Sequence, residues 1–377
     1  DMKFIDHVTY EGLRPGVECE MKGILMDAAT GEALLIDGEP VTSEVTFIPS
    51  EESGEVEMTF SFDGSKLGGT SLVAYESCLV NGVEIAVHQD IDDAEQTVQI
   101  PKIHTELTDT KAGTHLAQAE KKITLTDKVT YENLIPGREY VMKGILMDAA
   151  TGRALTIAKE EVTAELTFTP EEKNGSVELT FTFDADKLAG KTLVAYETCY
   201  MGEAEVAVHK DLKDSNQTVQ LPKLATELTD GTSGTHMAEA SDSIMLTDKV
   251  AYENLIPDRE YVMKGVLMDK DTGKELVIDG KKVTAEKSFT PKKSSGTLNL
   301  TFTLDGSKLA GKTLVAFEKC YLAKQEIAAH EDLGDVKQTV QLPDIGTTLS
   351  DKETGSHTAK AQEITTLVDR VAYENLI

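Results

Sequence analysis

The chain has 377 residues, a formal net charge of −29, a pI near 4.6, four Cys and no Trp. So acidic a balance argues against nucleic acid, whose phosphates need a basic surface. No apolar run reaches the ~20 residues of a membrane-spanning helix, and no nucleotide loop or cofactor motif is present, so neither cofactor nor conventional enzyme is expected.

The chain repeats itself. VHQDIDDAEQTVQIPKIHTELTD starts at Val87, VHKDLKDSNQTVQLPKLATELTD at Val208 and AHEDLGDVKQTVQLPDIGTTLSD at Ala329. The period is 121 residues, as His88, His209 and His330 show, and a unit this long has its own core. Short Pro-containing linkers at Pro101, Pro222 and Pro343 divide the chain into 1–101, 102–222, 223–343 and 344–377. It starts and stops in mid-repeat, so it is expected to be a piece of a longer protein. Domains joined by such short linkers are expected to form a stiff rod.

Repeat 1–101 carries the same strings as the next repeat but lacks an opening strand. In 102–222, strands are predicted at 124–134, 140–148, 162–169, 176–183, 191–200, 204–209 and 217–221, separated by turns at Pro136-Gly137, Thr151-Gly152 and Asn174-Gly175. The stretch SVELTFTF alternates cleanly, with Val177, Leu179, Phe181 and Phe183 on one face. The KLAG segment before LVAYE predicts a helical turn. About seven short strands at this spacing predict an all-β chain of tandem immunoglobulin-like β-sandwiches.

Five polar positions recur at the 121-residue period: Thr105, Thr226 and Thr347; Asp6, Asp127, Asp248 and Asp369; Glu76, Glu197 and Glu318; His88, His209 and His330; Gln96, Gln217 and Gln338. Alternation puts Asp127 on a face with Val129 and Tyr131, Glu197 with Leu193 and Ala195, Gln217 with Val219 and Leu221, and Thr105 with Ile103 and Leu107. These polar groups therefore point inward. His209 is ambiguous, because Val206 and Val208 lie on the face opposite to it. Buried together, the five are costly unless they satisfy one another. Taken singly, each fits a hydrogen-bonded core network. Taken together, they fit acyl transfer within the chain: Thr Oγ attacks the Gln carbonyl, His moves the proton, and ammonia leaves. Two adjacent buried carboxyls would share a proton.

Other chemistries fit less well. Lys22, Lys143 and Lys264 recur, but the recurrent Asn133, Asn254 and Asn375 is Gly12 in the first copy, which disfavours a Lys–Asn isopeptide bond. His209, Asp211 and Asp214 lack the ligand density of a calcium loop, so no metal is expected. The His of the GTH string (His115, His236, with His357 in GSH) reads as a turn or surface residue. Cys78, Cys199 and Cys320 share one repeat position and Cys19 stands apart, so no disulfide framework is expected and the recurrent Cys reads as a small buried hydrophobe.

LVAFE at 314–318, with strings of the form DxVxYxNL, KGxLMDxxTG, VxxHxD and QTV in order along the repeats, resembles the VaFE repeats of Gram-positive cell-surface proteins, whose domains form Thr–Gln intramolecular ester bonds. Spacing leaves open whether Gln217 joins Thr105 or Thr226. The resemblance pairs Thr105 with Gln217 and Thr226 with Gln338. It makes Asp127, Glu197 and His209, and likewise Asp248, Glu318 and His330, the supporting groups. The first copy has Asp6, Glu76, His88 and Gln96 without the Thr; the last has Thr347 and Asp369 alone. The resemblance implies a stalk of an adhesin or pilus-like protein, extracellular and anchored to the cell wall. Its partners would be neighbouring repeats, with a host or cell-surface ligand bound elsewhere in the parent. The alternative is ligand-binding repeats whose polar cluster is only a hydrogen-bonded or metal-binding network. Thr347 of one chain could also complete the open first repeat of another, giving a strand-complemented multimer.

Overall fold

A computed structural model describes residues 2–376. In the repeat 102–222, strand Lys102–Asp109 pairs with Ile123–Glu132, which pairs with Gly175–Phe183, all antiparallel. The facing sheet runs Thr163–Phe168, Tyr140–Asp148, Thr192–Met201, Ala204–His209, and Thr218–Gln220 also pairs with Thr192–Met201. Seven main strands and one short closing strand thus build an immunoglobulin-like sandwich. The alternating residues of each strand supply the core: Leu107, Leu125, Val129, Leu146, Phe181, Leu193, Val219 and Leu221 are all fully buried. Each contributes roughly 1.5–3 kcal/mol through burial. Repeat 223–343 copies the arrangement, with Thr226 opposite Val250 as Thr105 is opposite Val129.

One recurrent Gly is a packing requirement. A Cβ on Gly144 would lie 2.7 Å from the Phe181 ring and 2.8 Å from Leu179, and one on Gly265 would lie 2.7 Å from Phe302. Gly144 sits directly opposite Glu197, so it lets the two sheets close tightly beside that carboxyl.

The KLAG segment is not helical. It forms two successive turns, with Leu188 N–H donating to Ala185 O at 2.8 Å and Lys191 N–H to Leu188 O at 2.9 Å. Among the described residues helix is confined to one 3-10 turn, Val336–Gln338, whose cap Asp335 accepts from Lys337 N–H.

In the first repeat, Met2–Tyr10 pairs with Gly54–Phe62 alone. Among the described residues no strand equivalent to Lys102–Asp109 covers the inner face, so Val98 is 41% exposed where Val219 and Val340 are 0%. At the other end, Asp344–Asp351 and Leu367–Glu374 form a two-stranded sheet with Leu349 opposite Asp369, the register of Leu107 and Asp127.

The junctions are made by side chains. Asn133 adopts a left-handed backbone, φ 64°, which ends its strand. Its Nδ2 donates to Thr70 O of the preceding repeat at 2.5 Å, and its Oδ1 accepts from Ser71 Oγ at 3.1 Å. Asn254 Nδ2 reaches Thr192 Oγ1 at 3.2 Å and Asn375 Nδ2 reaches Gly311 O at 2.6 Å. Gln118 Nε2 adds a bond to Glu326 Oε1 at 2.9 Å across the same junction as Asn254.

Candidate functional site

Thr105 and Asp127 come from the three-stranded sheet, Glu197 and His209 from the facing one, and Gln217 from the turn that leads into its short strand Thr218–Gln220. The register sets Leu107 opposite Asp127 and Val129 opposite Thr105, so Thr105 and Asp127 are diagonal neighbours on one inward face. Glu197 and His209 are directly opposite each other in the other sheet. Leu107 N–H donates to Asn216 O at 2.8 Å and Ala195 N–H to Gln217 O at 3.0 Å, which draws the Thr strand and the Gln segment together.

All of Asp127, Glu197 and Gln217 are fully buried and Thr105 nearly so; Asp248, Glu318, Gln338 and Thr226 repeat this. Gln217 Nε2 donates to Glu197 Oε2 at 2.6 Å, and Gln338 Nε2 to Glu318 Oε2 at 2.5 Å. The remaining atoms have no hydrogen-bond partner: Thr105 Oγ1, both Asp127 oxygens, Glu197 Oε1 and Gln217 Oε1, with the same five atoms of the next repeat. Each buried polar atom left this way costs about 1–3 kcal/mol. Such a concentration in one place is the mark of a reactive site rather than of a settled core network.

Electrostatics divide the two carboxyls. Burial, then the charge of neighbouring Asp127, pushes Glu197 up to about 10. Burial also raises Asp127, but only to about 6, because Glu197, Thr105 and His209 favour its charged form. Glu318 and Asp248 divide in the same way, about 10 and about 6. At neutral pH the Glu holds the proton and donates, and the Asp is the acceptor. The Thr105 hydroxyl is near enough to both carboxyls to favour the charged form of each, though it completes no hydrogen bond to either.

His209 faces inward, which resolves its ambiguity. A register shift between Cys199 and Tyr200 takes Val206 out of the alternation, so that it packs partly against the core although Val208 lies on the outer face. Ala207 and His209 share the inner face, while Val208 is exposed. His209 Nε2 donates to Asp214 Oδ2 at 3.0 Å; His88–Asp93 and His330–Asp335 match at 3.0 Å. Partial burial works to raise Asp214, but the His209 bond and the Asn216 N–H outweigh it and hold the carboxyl below its usual range. Sequence reasoning weighed Asp214 only as a metal ligand. Its constant spacing from His209 was the available signal.

The GTH histidine, read from the sequence as a turn or surface residue, has a structural task in its loop. His115 Nδ1–H donates to Thr218 O at 3.1 Å, and His236 Nδ1–H to Thr339 O at 3.1 Å. Gln220 N–H donates to His115 O at 2.9 Å and Ala117 N–H to Gln220 O at 3.0 Å, so this loop straps the segment carrying Gln217. In the last, partial copy His357 turns to Leu349 O at 2.8 Å.

The first repeat brings together four of the five residues. Gln96 Nε2 donates to Glu76 Oε2 at 2.7 Å, and Asp6 Oδ2, Glu76 Oε1 and Gln96 Oε1 lack partners. Burial raises Glu76 to about 7, with Asp6 adding to the effect and the Gln96 bond opposing it. The side chain of His88 is 51% exposed, against 20% for His209 and 25% for His330, because no Thr strand covers it. Thr347 and Asp369 share the diagonal placement of the complete copies but are exposed. The isopeptide alternative fails on position: Lys143 and Lys264 extend over the surface to Glu165 at 3.1 Å and Glu286 at 3.0 Å.

Among solved structures, the chain is similar to a Mobiluncus mulieris adhesin containing intramolecular disulfide, isopeptide and ester bond cross-links. That match has 14% identity, covers 71% of this chain and 92% of that one, and has a TM-score of 0.29. A 1.5-MDa bacterial ice-binding adhesin matches at 12% identity, 90% and 98% coverage and TM-score 0.24. The C-terminal domain of Streptococcus agalactiae AgI/II polypeptide BspA matches at 9% identity, 61% and 98% coverage and TM-score 0.33. No curated protein matches the sequence. A family model matches residues 1–100, 101–221, 222–342 and 343–377, and the chain belongs to the family described as T-Q ester bond containing domain.

Proposed function

We propose that each complete repeat locks itself with an ester bond, Thr105 to Gln217 and Thr226 to Gln338, and that the tandem array is the stalk of a surface adhesin. The observation that carries the reading is the buried five-residue cluster whose Thr, Asp, Glu and Gln oxygens lack partners in both complete repeats. Thr105 Oγ attacks Gln217 Cδ, and its proton passes to Asp127 or to His209, whose Nε2–H is already committed to Asp214. Neutral Glu197 donates to the oxygen that gains charge in the tetrahedral intermediate, the role of an oxyanion stabiliser. The C–N bond breaks, nitrogen leaves as ammonia with the transferred proton, and the C–Oγ ester remains. The fold supplies proximity in place of an external catalyst, so the chain is its own substrate rather than an enzyme. Full burial of Gln217 keeps water from hydrolysing the ester.

The bond would join the first and last strands of one sandwich, enclosing nearly the whole repeat. Tension entering at one end would pass through the ester and leave the sheets unloaded. A cell-wall anchor and a ligand-binding region would lie elsewhere in the parent protein, on the outer surface of a Gram-positive cell. Pulling the chain by its ends in a force spectrometer tests the stalk role. The wild type should show no unfolding step for the two complete repeats, and Thr105→Ala should add one step of about one repeat's contour length. Equal extension of both would overturn the reading.

A further inference from the structure

The loop that straps the Gln217 segment is fastened on two sides. On one side His115 and Ala117 hold that segment, and Leu116 makes a parallel bridge with Gln220. The side chain of Leu116, however, does not join its own repeat. It is fully buried in the apolar cluster of the following one, in which every other buried member lies between Leu224 and Leu342. The next residue, Ala117, is buried in the cluster of 102–222. A second side chain reaches across at Gln118, whose Nε2 donates to Glu326 Oε1 at 2.9 Å. Glu326 is itself held within 223–343 by Lys319 at 3.1 Å and by the Tyr321 hydroxyl at 3.3 Å.

The next copy of the loop has Met237 and Glu239 in these two places. Its inward bond is the same, His236 to Thr339 O at 3.1 Å, but Met237 is 37% exposed. The inward geometry therefore comes from the loop itself, and what the neighbouring repeat adds is resistance to opening. Lifting the loop of 102–222 uncovers Leu116 and breaks the Gln118 bond as well as the strap. Lifting the loop of 223–343 breaks the strap alone. The difference bears on the cross-link because Thr218, which the strap holds, directly follows Gln217. Slack in the loop is slack at the carbon that Thr105 attacks, and acyl transfer loses rate steeply when the reacting atoms are misplaced.

We propose that Leu116 is a positioning residue for ester closure: docked on the folded repeat 223–343, it holds the strap on Thr218, so the Thr105–Gln217 bond closes efficiently only once the following repeat has folded. This rests on the ester reading above and adds to it a dependence of one repeat on the next. Repeat 102–222 is synthesised before the surface that Leu116 needs, so closure waits for the neighbour to fold.

The test uses the full chain recovered unfolded from inclusion bodies, before any ester has formed, and diluted out of denaturant. Peptide mass mapping then follows the 105–217 and 226–338 links separately with time. Leu116→Ser should slow the first link about tenfold, the effect of one lost Leu burial on a loop equilibrium, and leave the second at its wild-type rate. Leu116→Met, which carries the residue of the next copy, should restore the wild-type rate. Phe302 is fully buried in the core of 223–343, so Phe302→Asp places a charge there and keeps that repeat from folding. It should slow the first link as much as Leu116→Ser does, although 102–222 is unaltered. A first link that forms at the wild-type rate in Leu116→Ser or in Phe302→Asp would overturn the proposal. Absence of both links from the wild type would overturn the ester itself, and this proposal with it.

Discussion

A carboxyl pushed up to about 10 is, at neutral pH, a hydrogen-bond donor that the unfolded chain cannot keep. In the unfolded chain the same Glu titrates near ~4.3. Between those values the folded state binds the extra proton, so stability is greatest below the unfolded pKa and is lost as pH rises. The ester would mask this, so the dependence belongs to the unlinked double variant Thr105→Ala, Thr226→Ala. Its unfolding free energy should fall with rising pH between about 5 and about 9, by at most ~1.4 kcal/mol per pH unit for each retained proton. Adding Glu197→Gln and Glu318→Gln should flatten the slope, as followed by denaturant titration at each pH. A flat profile in the double variant would mean that the Glu is ionised in the fold. Asp214 acts through His209, so Asp214→Asn should slow ammonia release after refolding and shift its pH profile while the fold is kept. An unchanged rate and profile would remove the His–Asp pair from the chemistry.

Among the strands, alternation carries most of what can be read ahead of the structure. It placed Thr105, Asp127, Glu197 and Gln217 on inward faces, and all four are buried. It left His209 open because apolar Val206 and Val208 competed for the inner face; Val208 proves exposed, and the bulge turns only Val206 partly inward. The His115 strap was illegible for another reason: it is made by a loop, whose geometry has no period, and it joins residues 103 apart in sequence. The His209–Asp214 pair left only its constant spacing as a signal. The KLAG turns misled because short i to i+3 turns and one helical turn share their local composition. Gly144 gives this scale its prediction. Its missing side chain makes room for Phe181 and Leu179, so Gly144→Ala in the unlinked double variant should cost about 1–3 kcal/mol through overpacking. Chemical denaturation measures it; an unchanged midpoint would show that the ring yields freely.

Across the whole molecule, two kinds of contact act in series: the cluster closes each repeat and the Asn side chains join one repeat to the next. Asn133→Gly keeps the left-handed backbone open to Gly while removing the bonds to Thr70 and Ser71. Spin labels on the first two repeats should then show a broader distance distribution, with the melting of each repeat unchanged. An identical distribution would mean that the short linker alone sets the junction. Ester closure over residues 105–217 restricts the unfolded chain as a long disulfide loop does, so Thr105→Ala should destabilise that repeat by about 4–5 kcal/mol. The most direct measurement is the intact mass of the denatured, reduced chain, wild type beside Thr105→Ala and Thr226→Ala. The wild type should be lighter than its sequence by one ammonia for each of the two complete repeats, and each variant should recover one. A wild-type mass equal to that of the sequence would contradict the ester and leave the five residues as a buried polar network.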